Sequence, residues 1–219
     1  MTQNLPLENG DRLTREEFHR RYKEMPENVR AELINGVVYF RTSTTVSHAE
    51  ANAIVVGLIG LYSINTFGTI FANHVSIMID EKSESQPDAV LRIEENCGGK
   101  SSVNDRDYLE GAPELVVEIA SSSASYDLHD KLEMYEQKGV QEYIVWRVLD
   151  NQIDWFGLEK GKYKKFVGDK QGLIESKVLP GLRLNVKAIL NDDLQKVLAD
   201  LQNGLKSKKY KDFAKQLSK

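Results

Sequence analysis

The sequence predicts an α/β protein built on a mixed β-sheet flanked by helices. Three observations carry this. Pro113-Glu-Leu-Val-Val-Glu-Ile-Ala120 is a nearly continuous apolar run, the pattern of a strand covered on both faces. Between Ser47 and Ser63 the period changes, and Ala51, Ile54, Val55, Leu58, Ile59 and Tyr62 recur at three- and four-residue steps. That spacing marks a helix with a broad apolar face. Elsewhere strand-like and helix-like stretches mix without strict alternation, so the sheet is expected to be mixed.

From the start of the chain, Leu13, Phe18, Tyr22 and Met25 lie among charges, and Thr14-Arg-Glu-Glu resembles a capping box, predicting a short surface helix. Apolar runs in Ala31 to Phe40 flank Asn35-Gly36, the dipeptide best suited to a type I′ hairpin turn. Ser47, with Glu50 three residues on, is the expected N-cap of the long helix. Thr69 to Asp80 reads as extended and Glu81 to Gln86 as a polar loop. Pro87 to Ile93 reads as a strand opened by proline, and Glu94 to Asp107 as loop. After the apolar strand come five small residues, Ser121 to Ser125, which let the chain turn and cap a helix. That helix is expected over Tyr126 to Lys138, with Leu128, Leu132 and Tyr135 on one face and Gly139 as its left-handed C-cap. Val140 to Leu149 is a further strand, Gln152 to Val167 a ribbon turning near Lys160-Gly161, and Leu179 to Val186 extended. Asp192 to Leu205 is a last amphipathic helix, and the Lys-rich tail from Ser207 to Lys219 is expected to fray.

Composition narrows the function classes. The 219 residues include 33 Asp plus Glu against 29 Lys plus Arg, a formal net charge of −4, and 41% are hydrophobic, enough to bury a real core. The length fits one domain, taken as 1–205 with a core of about 26–190, followed by the tail 206–219. The lone Cys97 excludes an intramolecular disulfide framework and any multi-cysteine zinc site. No stretch approaches the ~20 apolar residues of a membrane span, and the N-terminus lacks a signal-peptide pattern. The expectation is a soluble, cytoplasmic protein. The acidic balance argues mildly against a protein whose whole surface grips nucleic acid.

The chemically informative feature is a carboxylate in each of two apolar strands, followed by a lysine on the next helix. Glu118 is flanked by Leu115, Val116, Val117 and Ile119, and Asp88 stands between Pro87 and Ala-Val-Leu. Ionised carboxylates are rarely buried without a partner. Each could face solvent at a strand end. Alternatively the two could share a divalent cation, since Mg²⁺ favours hard oxygen ligands and keeps several waters. Lys131, three residues after Leu128 and four before Tyr135, could then reach the strand end carrying Glu118. Taken alone it reads as a solvated helix lysine.

These residues carry a resemblance. Pro87-Asp88, Glu118 within its apolar strand, Ser121 and Asp127-Leu-His-Asp-Lys131-Leu resemble the Uma2 family of the PD-(D/E)XK restriction-endonuclease-like superfamily. Glu32-Leu-Ile-Asn-Gly-Val-Val, Ser47-His48, Gly111 to Glu118, Lys138 to Trp146 and Leu179-Pro-Gly-Leu182 follow in the family's order, so the likeness spans Glu32 to Leu190. The resemblance implies a restriction-endonuclease-like core and a metal-dependent endonuclease acting on nucleic acid, DNA foremost, with Mg²⁺ or Mn²⁺. It places Asp88 and Glu118 on the metal-binding acids, Glu32 on an additional upstream glutamate and the carbonyl of Ile119 as a further ligand. Ala120 stands where the superfamily motif has its lysine, and the resemblance gives that role to Lys131. A homodimer is expected in so far as cutting both strands of a duplex needs two sites. The competing reading is a nuclease-like scaffold that binds nucleic acid or a protein partner without cleaving.

Other signals point less far. Gly98-Gly-Lys-Ser101 lacks the first glycine of a phosphate-binding loop and reads as an ordinary turn. His19, His48, His74 and His129 show no i, i+4 zinc pairing. His48, at a helix start, reads as a half-buried structural histidine or as a contact to a phosphate or the site rim. The serine cluster lacks a Gly-x-Ser-x-Gly elbow. Lys160, Lys162, Lys164 and Lys165 form one basic cluster and Lys206, Lys208, Lys209 and Lys211 another. Either could meet a phosphate backbone or simply solvate its face. Trp146 and Trp155 read as core or as a dimer surface.

Overall fold

In the computed structural model, which describes residues 5–41 and 44–218, Thr14 accepts the Glu17 amide and opens α1 (Arg15–Tyr22) as the capping box predicts. Met1 to Asn4, part of the stretch read for a leader, and Lys219 at the end of the tail lie outside the described residues. Asn35 and Gly36 have φ of 50° and 83° and turn β1 (Ala31–Ile34) into β2 (Val37–Phe40). Thr45, not Ser47, caps α2 (Val46–Asn65). Thr45 has the extended backbone a cap needs and accepts the His48 amide, whereas Ser47 is already helical.

The segment 69–80 is not one strand. His74 adopts φ 51° and divides it into β3 (Thr69–Ala72) and β4 (Ile77–Asp80), which enter different sheets. The expected loop 81–86 contains β5 (Ser83–Ser85), polar in composition yet wholly buried. β6 (Ala89–Ile93) follows Pro87, and the expected loop 94–107 holds β7 (Ser101–Val103). Gly98, at φ 93°, closes an ordinary turn before it. Then come β8 (Leu109–Gly111) and the fully buried β9 (Leu115–Ala120). The helix expected over 126–138 is two, α3 (Ala124–Leu128) and α4 (Asp130–Lys138). The break falls at His129, whose φ of −122° and ψ of −79° leave helical space. Gly139, at φ 82°, ends α4 as predicted.

β10 (Glu142–Arg147), β11 (Gln152–Glu159) and β12 (Lys162–Lys165) follow, with Lys160 and Gly161 at positive φ in the ribbon's turn. Of the stretch expected to be extended over 179–186, three residues form β14 (Arg183–Asn185), which pairs with β13 (Leu173–Glu175). Asn185 caps α5 (Val186–Leu190), and Asp193 caps α6 (Leu194–Leu205). The tail does not fray across its described part. Ser207 caps α7 (Lys208–Leu217), and burial of Tyr210 and Leu217 holds the helix in place.

One six-stranded sheet runs β12-β11-β10-β9-β6-β3, with β9 and β10 parallel. A second runs β2-β1-β5-β4-β8-β7, with β4 and β8 parallel. Side chains alternate across β9. Leu115, Val117 and Ile119 pack with Ala51, Val55 and Ile59 of α2, whereas Val116 and Ala120 pack with Met134 and Tyr135 of α4 and Ile34 and Ile77 of the second sheet. Trp146 and Trp155 belong to the α2-side core. No helix among the described residues is long and apolar enough to cross a membrane.

Candidate active site

Alternation along β9 sends Glu118 to the side of Val116 and Ala120, toward α4. There α4 supplies Lys131, buried with Met134 and Tyr135. Lys131 Nζ lies 2.7 Å from Glu118 Oε1, 2.8 Å from Glu32 Oε2 and 3.6 Å from Asp127 Oδ1. Glu32 arrives from β1, and its Oε1 also accepts the Gln86 amide at 2.6 Å. Burial pushes the Glu118 carboxyl well above the usual range; Lys131 opposes this, while Asp127, Glu32 and Asp88 add to it. Burial works against the charge on Lys131, yet Glu118, Glu32 and Asp127 outweigh it and keep the ammonium protonated. Burial likewise raises Asp127.

Ala89 pairs with Val117, so Asp88 stands just past the ladder's end, beside Glu118 and Ile119. Its Oδ2 accepts the Ile119 amide at 2.8 Å. A strand residue turns its N–H and C=O to the same edge, so the Ile119 carbonyl is directed to this side as well. Asp88 Oδ1 faces Arg41 Nη2 at 2.9 Å, His48 Nε2 at 3.3 Å and His74 Nδ1 at 3.8 Å. Burial pushes the Asp88 carboxyl up, but His48, Arg41 and the Ile119 amide together outweigh it and hold the group well below the usual carboxylate range.

These side chains line a cavity of about 300 Å³. Four buried carboxylates, Glu32, Asp88, Glu118 and Asp127, face the cations of Lys131 and Arg41, with Arg30 exposed at the rim. Carboxylates outnumber the interior cations here by two, an excess that a divalent cation would offset. The hydroxyl of Tyr126, also on the lining, is buried with no hydrogen-bond partner, and Lys131 Nζ sits 5.3 Å from its ring centroid. Hard carboxylate oxygens suit Mg²⁺ or Mn²⁺. Among the described residues no three His, Cys, Asp or Glu side chains are grouped to hold a metal ion. An ion here would therefore rest on two carboxylates with main-chain oxygen and water, a donor set Mg²⁺ accepts. The residues fit the ion on charge and on donor chemistry.

A family model described as "Uma2: Putative restriction endonuclease" matches residues 15–187. The chain belongs to the Uma2 family. The Uma2 match takes in every side chain of the cavity and stops before α6 and α7. A crystal structure described as that of "a putative nuclease belonging to DUF820" from Anabaena variabilis ATCC 29413 is similar with a TM-score of 0.61 at 12% identity, over 78% of this chain and 96% of that one. At that identity the likeness speaks for the fold, and it bears out the expected α/β core of mixed sheets flanked by helices. No curated protein matches.

In this Uma2 chain the four side chains singled out in the sequence, Glu32, Asp88, Glu118 and Lys131, line one cavity, with the main chain of Ile119 against Asp88. His48 takes the site position of its two readings, with Nε2 on Asp88. Arg41, His74, Gln86, Tyr126 and Asp127 were not singled out as site residues. Asp127 had a signal, because it precedes Lys131 by four residues within the single helix expected over 126–138 and would share its face there. Arg41 and His74 had none, since they reach Asp88 from segments distant in sequence. Ser121, Ser122 and Ser123 line the cavity, but Ser123, at the start of α3, makes no side-chain capping bond there, contrary to the capping expected of the cluster.

Proposed function

We propose that this Uma2 protein is a Mg²⁺- or Mn²⁺-dependent endonuclease that hydrolyses phosphodiester bonds of nucleic acid, DNA foremost. The observation that supports this most is the excess of buried carboxylate over cation around one cavity that also holds an unpartnered hydroxyl. Asp88, Glu118 and the Ile119 carbonyl would hold the ion. When bound, the ion lowers the pKa of a water and neutralises charge developing on a phosphate oxygen.

The chain's own groups do the rest. Arg41 and His48 keep Asp88 ionised. Glu32, counted with the metal ligands on the sequence, has its oxygens on Lys131 and the Gln86 amide, so its role here is to position Lys131. The Lys131 ammonium steadies negative charge on the phosphoryl group during in-line attack of water, and the Tyr126 hydroxyl donates to a phosphate oxygen. A homodimer supplies the two sites that cutting both strands requires.

The non-cleaving scaffold has one observation of its own: Glu118 is already paired with Lys131 and Asp88 with Arg41. Titration calorimetry with Mn²⁺ separates the two. The nuclease reading expects binding heat that Asp88→Asn abolishes. Absence of any Mn²⁺ binding by the parent protein would favour the scaffold.

A further inference from the structure

We infer that the exposed face of α7 is a contact surface for the phosphate backbone of nucleic acid, outside the cavity and beyond the Uma2 core. Lys208, Lys211 and Lys215 recur at three- and four-residue steps and share one helical face, with Lys206 and Lys209 beside it. All five are exposed. On the opposite side Tyr210 and Leu217 are buried. The Tyr210 hydroxyl donates to the Asn65 carbonyl, and the Cys97 thiol donates to the Leu217 carbonyl at 3.3 Å. The lysine face is thus presented on a helix already fixed to the body.

The three lysines of β12 behave differently. In the ribbon, Lys162 pairs with Glu136 at 2.7 Å, Lys164 with Glu159 at 3.0 Å, and Lys165 with Asp154. Lys177 also pairs with Glu159 at 2.5 Å. Those charges are met within the protein. Among the described residues none of the five lysines at α7 has an ion pair. A chain of net charge −4 that gathers four lysines on one docked helix and Lys206 just before it, with Asp212 as the helix's single acid, presents a local polyanion site. The polyanion is nucleic acid and not a lipid surface, because a membrane-surface helix needs its apolar face free. Here that face is packed against the body. The choice of nucleic acid rests on the proposed nuclease function; the surface itself does not.

α7 extends the footprint away from the cavity. α2 carries His48 at the cavity end and Asn65 at the α7 end, about 25 Å apart at 1.5 Å per residue. That is a span of roughly seven base pairs of duplex.

The test measures binding of the full chain, without divalent cation, to a labelled duplex of two to three helical turns across a range of salt concentrations. Each lost phosphate contact makes the slope of log K against log salt shallower by about 0.9. The triple variant Lys208→Gln, Lys211→Gln, Lys215→Gln is expected to lose about two to three from that slope. Its affinity at physiological salt should fall on the order of a hundredfold. The ribbon variant Lys162→Gln, Lys164→Gln, Lys165→Gln should change the slope by less than half as much. The melting temperature of the α7 variant should match the parent's, since its three side chains are exposed and, among the described residues, carry no ion pair.

An unchanged slope in the α7 variant overturns the inference. So does a parent that does not bind the duplex, or an α7 variant that loses binding only to phosphatidylserine vesicles. Plasmid cleavage by the same preparations keeps the two claims apart. A parent that cuts DNA with an α7 variant bound equally well defeats this surface alone. A parent that binds through α7 without cutting defeats the nuclease reading alone.

Discussion

Replacing Lys131 with methionine keeps the length of the side chain and removes the ammonium that Glu32, Glu118 and Asp127 share. Lys131 is 1% exposed, and Nζ lies within 2.8 Å of two of those carboxylates. Removing one partner of a buried ion pair costs about 3–5 kcal/mol, because the remaining charge stays buried and uncompensated. For a chain of this length each kcal/mol moves Tm by roughly 2–4 °C, so a fall of roughly 6–20 °C is expected at pH 8. The pH dependence has a definite sign. Burial already raises Glu118 and Asp127, and losing Lys131 raises them further. Groups raised on folding stabilise below their unfolded values and lose that contribution as pH rises through the folded ones. The gap between variant and parent should therefore narrow from pH 8 to pH 5. Adding Glu118→Gln to the variant should recover part of the loss, as neutralising the orphaned partner does. Urea unfolding at the two pH values measures all three. A loss below about 1 kcal/mol, or a gap equal at both pH values, would refute the picture of a buried network held by one shared ammonium.

Two further predictions concern groups with buried polar atoms. Burial raises Glu142 to about 7, although Trp155 Nε1 and the Lys177 amide donate to it at 3.1 and 2.7 Å. Its stabilising contribution is lost between pH 4.5 and about 7, so the parent should lose about 3 kcal/mol relative to Glu142→Gln over that window, at 1.36 kcal/mol per pH unit; chemical unfolding of both proteins at pH 5 and 8 would reveal a flat difference if the group were not perturbed. Tyr126→Phe removes a buried hydroxyl that has no partner in the free protein. Stability should hold or rise, while kcat/KM for DNA cleavage falls on the order of tenfold, one hydrogen bond's worth. Unaltered turnover would remove Tyr126 from the site.

Much of the site was legible because buried charge contradicts its surroundings. Glu118 inside Leu-Val-Val-Ile and Asp88 ahead of Ala-Val-Leu are anomalies that a sequence exposes directly, and Lys131 follows from helical spacing. The partners of Asp88 were not legible. Arg41 follows β2 and His74 lies between β3 and β4, so only the tertiary fold brings them to Asp88. Periodicity also misses strands whose burial is polar. β5 reads as loop because it is Ser-Glu-Ser, yet it lies between β1 and β4, and Glu84 is buried against His19 Nδ1 at 3.0 Å. α7 was missed for the opposite reason. Its lysines suggest a solvated tail, whereas Tyr210, Phe213, Ala214 and Leu217 form the apolar side that docks it.

Cleavage of supercoiled plasmid across Mg²⁺ and Mn²⁺ concentrations, with Asp88→Asn and Glu118→Ala beside the parent, tests the central claim most directly. The account predicts nicked or linear product from the parent only when the divalent cation is present, and none from either variant while both stay folded. Cutting by the variants at the parent's rate would contradict the assignment of Asp88 and Glu118, and a folded, Mn²⁺-loaded parent that leaves DNA and single strands intact would contradict the nuclease reading itself.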